Sequence, residues 1–302
     1  MNKPNTFVIG APKCGTTALC KYLELHTNIF MCDPKEPHFF AHQDMPGRKH
    51  YYTNIDTYLE LFQGAKSNQN VLIEGSVWYL FCENAIKRIF NFNPKAKLIV
   101  MLRRPDEMVY SYHSQAIVSF SEDITDFELA WRTSKGPNPS RTIPKHCDEP
   151  KVLQYDQIAK YGDQLERLFS IFDRSQIMII LFDDFKSNTE KTYNDVLNFL
   201  ELPPESLPSF EKINENKVIT NKTIGRILTK PPGWLLQAIA LFKRLLGIKN
   251  LNVRERLLNS VSRNAERTPL SLELRQEIID NYREDILKTQ RITNLSLEKW
   301  LN

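Results

Sequence analysis

The chain has 302 residues, 41% of them hydrophobic and 25% charged, and this mixture excludes a wholly disordered protein. Forty Lys and Arg against 36 Asp and Glu give a formal net charge of +4, too small to indicate a nucleic-acid partner. Five cysteines at irregular spacing form neither a disulfide framework nor a paired zinc-ligand pattern, so we expect reduced thiols.

A strand, a loop and a helix are predicted at the start of the chain. The apolar run TFVIG begins at Thr6, and TTALCKYLELH carries apolar side chains at helical spacing. Between them, GAPKCGTT occupies the position where a strand–loop–helix unit presents backbone N–H groups and a helix N-terminus to an anion. No signal peptide opens the sequence, and we expect a cytoplasmic protein.

Strands and helices then alternate along the chain. Apolar runs predict strands at 71–73, at 97–102 and from residue 176, and residues 97–102 are typical of a strand buried on both faces. Helices are predicted at 80–92, from Pro105, around 127–132, at 155–172, at 189–200 and near the C-terminus, ending at Trp300. This alternation predicts an α/β fold with a central parallel sheet flanked by helices.

Two further regions differ in composition from the rest. Residues 44–66 and 119–150 are irregular, and the second is a long polar segment of the kind that can bind an acceptor or act as a lid. Residues 222–256 contain eight basic residues and one acidic residue. The apolar stretch 234–248 inside the basic segment 222–259 is too short to span a bilayer, and it is either a helix packed on the core or an interfacial helix at a membrane or partner.

The GAPKCGTT loop differs from that of nucleotide-hydrolysing P-loop proteins. Gly10 and Gly15 have the usual spacing, but Lys13 precedes the second glycine and no Gly-Lys-Ser/Thr triplet is present. The strand, glycine loop and helix also suit a P-loop phosphotransferase or nucleotide kinase, which stays an alternative although the missing triplet counts against it. A non-catalytic nucleotide- or glycan-binding protein is a further alternative. Asp183 and Asp184, which follow the last strand, are a magnesium site in the kinase alternative and a solvated turn otherwise.

Two segments, APKCGTTAL and LRRPDEMVYSYH, resemble the signatures of sulfotransferases that use 3′-phosphoadenosine 5′-phosphosulfate. KEPHFF, residues 35–40, resembles the segment that carries the glutamate base in glycan-type members. The resemblance covers nearly the whole chain and implies one domain, 1–302, with a P-loop-like three-layer fold. It implies that the donor leaves as adenosine 3′,5′-bisphosphate, that no metal is needed, and that the acceptor is a hydroxyl or amine of a carbohydrate or glycoconjugate.

The resemblance also assigns residues to the site. The first segment binds the 5′-phosphosulfate and the second binds the 3′-phosphate. The residues assigned to donor binding are Pro12, Lys13, Cys14, Gly15, Thr16, Thr17, Arg103 and Ser111. Here EGSVWYL has Val77 and Trp78 where many members carry other residues, and NKTIGR from Asn221 is only a candidate for the loop that closes over the donor's 3′ side.

Three residues are expected to take part in the chemistry. Lys13 stabilises the bridging oxygen as negative charge develops on the leaving phosphate. Glu36 is the general base, with a pKa that burial shifts toward working pH. His38, which points away from Glu36 if this segment is extended, and His113 are alternative bases. Aromatic residues that could stack on an adenine or a sugar are Phe39, Phe40, Tyr51, Tyr52, Trp78 and Tyr79.

Overall fold

The computed structural model describes residues 2–48, 52–136, 139–207, 209–210, 217–219, 262–264 and 267–302. The entire basic segment 222–259, including the stretch 234–248, Lys222 and Arg226, lies outside these residues. Its packed or interfacial role therefore stays a prediction, as does the single domain 1–302. Within the described residues, no helix is both long enough and apolar enough to cross a bilayer.

A five-stranded parallel sheet forms the centre of the molecule and confirms the predicted α/β class. Its strands are β1 (Thr6–Gly10), β2 (Ile29–Met31), β3 (Val71–Gly75), β4 (Lys97–Leu102) and β5 (Ile177–Leu181). The order across the sheet is β2-β3-β1-β4-β5, so β1 pairs with β3 on one side and β4 on the other. The strand β2 is not predicted from the sequence, because three residues are too few to show a periodic pattern.

Helices flank the sheet. They are α1 (Thr16–Leu23), α2 (Ile55–Glu60), α3 (Ala85–Phe92), α4 (Pro105–Val118), α5 (Phe127–Ser134), α6 (Tyr155–Ile158), α7 (Tyr161–Phe169), α8 (Phe182–Ser187), α9 (Thr189–Phe199) and α10 (Leu272–Thr293). The predicted helix 155–172 is two helices, and the predicted helix 80–92 begins only at Ala85. Two short strands, Lys217–Ile219 and Ser262–Asn264, form a separate antiparallel pair.

The core surrounds the central strands. All five residues of β1 and of β3 are buried, and in β4 every residue after Lys97 is buried, as expected for strands covered on both faces. The start of α4 combines Pro105 in the first turn with the acidic Asp106 and Glu107, which complement the positive end of the helix dipole. The end of β4 and the start of α4 therefore lie next to each other at the carboxyl edge of the sheet.

Candidate active site

A cavity of about 480 Å³ opens at the carboxyl ends of the parallel strands, where open α/β folds bind ligands. Each strand is followed by at least one residue of the cavity wall, because parallel strands all end at the same edge. The lining residues are Pro12, Lys13, Gly15, Thr16, Thr17, Ala18, Glu36, Arg48, Val77, Trp78, Arg103, Ser111, Tyr112, Ser114, Gln115, Val118, Phe182 and Arg267. Eight of the ten residues predicted for the site lie together here, and Cys14 and His38 do not line the cavity.

The loop after β1 has a backbone that only particular residues permit. Lys13 has a φ of 63° and Gly15, the N-cap of α1, a φ of 89°, both in the left-handed region. A Cβ at Gly15 would also lie 3.1 Å from the Phe182 ring. Gly15 therefore supplies both the left-handed turn and the space that the loop needs before α1 begins.

The Cys14 side chain points into the protein and does not line the cavity. Its side chain is fully buried, and its Sγ donates to the Pro12 carbonyl oxygen at 3.3 Å and lies 4.0 Å from the Tyr161 hydroxyl. Burial raises the pKa of the thiol to about 12, so it is neutral. The part of Cys14 that could face a bound anion is therefore its backbone, and its role in donor binding stays a prediction.

Lys13 is held among other cations. Burial, with the charges of Arg267 and Arg103 nearby, lowers the pKa of Lys13 to about 8. Among the described residues, no carboxylate forms an ion pair with its ammonium group. The ammonium is still the major form at neutral pH, and a bound anion would remove the electrostatic cost of placing it there.

Arg103 and Ser111 line the same wall, as predicted, and Arg267 joins them. Arg103 donates twice to Glu107, at 2.9 and 2.7 Å, and stacks on the Phe182 ring at 4.5 Å. Arg267 donates to the Ser111 and Ser114 hydroxyls at 3.1 and 3.0 Å. These contacts place two guanidinium groups and two hydroxyls on one wall, a combination whose chemistry suits an anion.

Arg267 is the residue that sequence reasoning missed at this wall. It lies 156 positions after Ser111 and reaches the cavity from the segment that leads into α10. No motif surrounds it, so only the packing of distant segments brings it to the site. The sequence-based candidates for this role, Lys222 and Arg226, are outside the described residues.

Glu36 is the acidic residue of the cavity lining, and its two oxygens are both in contact with donors. Lys35 Nζ lies 3.1 Å from Oε1, and His38 Nε2 lies 3.2 Å from Oε2. Burial acts to raise the pKa of Glu36, but the hydrogen bond from His38 and the charges of Lys35, His38 and Arg48 outweigh it and lower the pKa to about 2. The expectation of a raised pKa is therefore wrong for the free protein, and Glu36 is ionised at neutral pH.

His38 is not on the opposite side from Glu36, in contrast to the expectation for an extended segment. Its φ of 54° turns the backbone at that position, and its buried ring comes back to the Glu36 carboxylate. Its backbone N–H donates to the Ser76 hydroxyl at 3.0 Å. His38 therefore lies beside Glu36, where it can orient that carboxylate; it does not line the cavity, and its role as an alternative base stays a prediction.

The remaining candidates have structural surroundings. His113 is buried, its Nε2 is 2.8 Å from the Ile124 carbonyl oxygen, and burial lowers its pKa. Asp183 and Asp184 lie in the first turn of α8 and do not line the cavity. Among the described residues, no cluster of three or more His, Cys, Asp or Glu could hold a metal ion.

The rest of the cavity wall is aromatic and cationic. Trp78 packs edge-on against Tyr112 with ring centroids 5.3 Å apart, and both line the cavity. Arg48 lines it as well, and within the described residues its guanidinium forms no ion pair with a carboxylate. By contrast, Phe40 and Tyr79 belong to the buried core, and Tyr51 is outside the described residues.

Comparisons with known proteins agree with one another. The family model described as "Sulfotransferase domain" matches residues 3–225 of this chain. The mouse bifunctional heparan sulfate N-deacetylase/N-sulfotransferase 3 is 30% identical over 205 residues, which cover 67% of this chain and 22% of that protein. Human carbohydrate sulfotransferase 15 is 27% identical over an alignment of 250 residues that covers 67% of this chain and 44% of the human protein.

A solved structure matches the entire length of the chain. The crystal structure of a sulfotransferase from Alicyclobacillus acidocaldarius has a TM-score of 0.73 and 21% sequence identity, and the match covers 100% of both chains. At this identity the match shows a shared fold. The chain spans only 22% of the mouse relative, so most of that protein has no counterpart here.

Proposed function

The chain belongs to the sulfotransferase family, and on that premise we propose that it transfers a sulfuryl group from 3′-phosphoadenosine 5′-phosphosulfate to a hydroxyl or amine. Membership confirms the resemblance stated from the two signature segments. The observation that carries the proposal is that one cavity combines the cations Lys13, Arg103 and Arg267 with an ionised carboxylate, Glu36. The cations suit a polyanionic donor, and the carboxylate suits an acceptor that must lose a proton.

In this proposal the two ends of the donor occupy different parts of the cavity. The loop 12–17 and the start of α1 hold the 5′-phosphosulfate, because backbone N–H groups and the helix dipole favour an anion there. Arg103, Ser111 and Arg267 hold the 3′-phosphate through charged hydrogen bonds. Binding then requires Arg103 to exchange part of its contact with Glu107 for the donor.

The transfer step uses Glu36 and Lys13. Glu36 removes the proton from the acceptor as its oxygen or nitrogen forms a bond to sulfur. The bond between sulfur and the bridging oxygen breaks in line, and its electron pair stays on the phosphate of adenosine 3′,5′-bisphosphate. The Lys13 ammonium stabilises the charge that develops on this oxygen, and a contact that strengthens in the transition state lowers the barrier.

A carbohydrate or glycoconjugate is the proposed acceptor. Two relatives are named for their action on heparan sulfate and on carbohydrate. In this chain, Trp78 and Tyr112 give the cavity an aromatic wall on which a sugar ring could pack. Arg48 supplies a positive charge for a carboxylate or sulfate on the acceptor.

Calorimetric titration with adenosine 3′,5′-bisphosphate, AMP, and ATP with and without magnesium tests the donor proposal. We expect tight binding of the bisphosphate without metal and weak binding of the other nucleotides. A preference for ATP with magnesium would instead support the kinase alternative. Tight bisphosphate binding without transfer to any amino sugar or polysaccharide would support the non-catalytic binding protein.

A variant of Arg267 in the same titration tests whether this residue binds the 3′-phosphate. Arg267→Ala should weaken bisphosphate binding by about 10- to 100-fold, as expected for a lost charged hydrogen bond, and weaken AMP binding far less. Arg132→Ala is the matched control, since Arg132 is exposed on α5 and pairs with Glu128. Equal weakening of both nucleotides would contradict the assignment to the 3′-phosphate.

A further inference from the structure

Lys35 occupies a position between the donor loop and the catalytic carboxylate. Its ammonium donates to Glu36 Oε1 at 3.1 Å and to Thr16 Oγ1, in the first turn of α1, at 3.5 Å. Only a fifth of its side chain is exposed, and it is not among the residues that line the cavity. The side chain therefore bridges two parts of the site from behind.

The aliphatic part of the Lys35 side chain packs against Gly75, where a larger residue would leave too little room. A Cβ at Gly75, the last residue of β3, would lie 3.3 Å from Lys35 Cε and 3.1 Å from Cys20 Sγ. The Gly75 N–H also donates to the Lys35 carbonyl oxygen at 3.3 Å. Both the backbone and the side chain of Lys35 are thus held against the end of β3, so the ammonium has little freedom to turn elsewhere.

Resting on the proposed function, we propose that Lys35 is a positioning residue that holds the Glu36 carboxylate ionised and fixed relative to the donor loop. It acts through Glu36 and Thr16 and does not contact the reacting atoms. Since Glu36 Oε2 faces His38, the two neighbours together fix the plane of the carboxylate. A base held in one orientation contributes to the rate, because a misplacement of about 1 Å can cost on the order of 100-fold.

Several charged or titratable groups surround this arrangement and must be considered together. They are Cys20 on α1, Cys32 before the loop, Glu74 on β3, and His38, Arg48 and Lys13. Burial raises the pKa of Cys20 to about 11 and that of Cys32 further, so both thiols are neutral at pH 7. Burial acts to lower the pKa of Lys35, but the Cys20 thiol, once it ionises at high pH, and the Glu36 carboxylate raise that pKa above its ordinary value, so Lys35 is charged at pH 7.

Lys35→Met tests the proposal with readouts that a merely structural residue would not change. The affinity for adenosine 3′,5′-bisphosphate should stay within about threefold, while kcat falls by about 10- to 100-fold with little change in the donor KM. The acid side of the kcat profile should move to higher pH by about one unit or more, since a positive neighbour of Glu36 is lost. Lys35→Arg should restore the profile, because the charge returns.

An NMR pH titration of Glu side chains labelled with ¹³C at Cδ reports the protonation of Glu36 without the need for turnover. The Glu36 signal, assigned by its loss in Glu36→Gln, should remain that of a carboxylate to a lower pH in the wild type than in Lys35→Met. Lys21→Met, at an exposed lysine of α1, is the control for charge removal and should leave this signal unchanged.

Gly75→Ala distinguishes the effect of the position of the Lys35 ammonium from the effect of its charge. It keeps Lys35 but displaces its stem, so it should lower kcat in the same direction as Lys35→Met while bisphosphate still binds. Unchanged kcat and an unchanged Glu36 titration in Lys35→Met would overturn the proposal. A wild type that binds bisphosphate but transfers to nothing would instead overturn the proposed function, and the titration would still decide the role of Lys35.

Discussion

At the scale of single residues, Lys13 combines an unfavourable backbone with an unfavourable charge environment. A non-glycine residue at a φ of 63° costs free energy, and the guanidinium groups of Arg103 and Arg267 add repulsion. A bound anion in the cavity would offset the repulsion among these cations. The strain and the cation cluster therefore support a role for Lys13 in binding the transferred group and its leaving phosphate.

Lys13→Ala should lower kcat by about 100- to 1000-fold, the loss typical of removing one donor from a developing oxyanion. Lys13→Arg is the control that keeps the charge and should retain part of the rate. Because the pKa of Lys13 is about 8, kcat/KM for the donor should fall as the pH rises through 8 in the wild type. This alkaline limb should be absent in Lys13→Arg, and near-normal turnover in Lys13→Ala would remove Lys13 from the mechanism.

Glu36→Gln should abolish transfer while bisphosphate affinity stays within about threefold, because the amide keeps the shape of the side chain but cannot accept the acceptor's proton. Glu24→Gln, at an exposed position just after α1, is the matched control and should behave as the wild type. Calorimetry and a transfer assay on the same samples check both parts. A loss of bisphosphate binding in Glu36→Gln would indicate a structural role.

At the scale of elements, the end of β3 organises the loop that carries Glu36, the proposed base. The Ser76 hydroxyl accepts from the His38 N–H at 3.0 Å, and the Tyr79 hydroxyl accepts from the Phe40 N–H at 3.2 Å. Tyr79 in turn donates to Glu74 at 2.9 Å. The strand therefore supports Glu36 through a buried polar network, and burial of such a network requires every member to be placed accurately.

Glu74 gives this network a dependence on pH. Burial raises the pKa of Glu74 to about 7, against the hydrogen bonds from Ser76, Tyr79 and Tyr58 that act to lower it. The folded pKa lies above the unfolded value near 4.5, so Glu74 contributes stability that is complete below pH 4.5 and lost as the pH rises through 7. This pKa shift contributes at most about 3 kcal/mol to the free energy of unfolding.

Glu74→Gln should remove that dependence, because the amide stays neutral and still accepts from the two tyrosine hydroxyls. We expect the wild type to lose free energy of unfolding between pH 5 and pH 8 relative to the variant. Urea unfolding of both proteins at the two pH values measures the difference. A difference that does not change with pH would show that Glu74 has the same pKa in the folded and unfolded states.

At the scale of the whole molecule, a buried ion pair inside the polar segment 119–150 is joined by a hydrogen bond to α6. Arg141 donates to both Glu122 oxygens, at 2.7 and 2.6 Å, and both side chains are almost fully buried. The Tyr155 hydroxyl donates to the same carboxylate at 2.9 Å. Sequence composition predicts a surface segment, but these contacts hold Glu122 and Arg141, 19 positions apart, together and against Tyr155 of α6.

Arg141→Met should lower the free energy of unfolding by about 3 to 5 kcal/mol, since it leaves the Glu122 carboxylate buried and unpaired. Arg132→Met, which breaks exposed ion pairs on α5, should cost less than about 1 kcal/mol. Burial acts to raise the pKa of Glu122, but the hydrogen bonds and charge of Arg141 lower it below the ordinary value. The stabilisation is therefore present above the unfolded pKa and lost as the pH falls below it, and urea unfolding near neutral and acidic pH checks both effects.

The sequence by itself determined the glycine-containing loop between β1 and α1, the buried strand β4, the start of α4 and the family of the chain. These features follow from local causes, since turn geometry, helix starts and strand burial are encoded within a few neighbouring residues. Lys13, Glu36, Arg103 and Ser111 were identified for the same reason, because each lies inside or beside a recognisable segment. Their roles in catalysis and binding stay predictions.

Only the tertiary structure decided which distant residues complete the site. The sheet order β2-β3-β1-β4-β5 brings the loop after β2 next to the loop after β1, so that Lys35 reaches Thr16. Packing of the segment before α10 against α4 brings Arg267 to Ser111. A left-handed turn at His38 directs its ring to Glu36 and, with Lys35, reverses the expected direction of the pKa shift. Contacts between residues far apart in the chain depend on how all the elements pack together, and no local pattern encodes them.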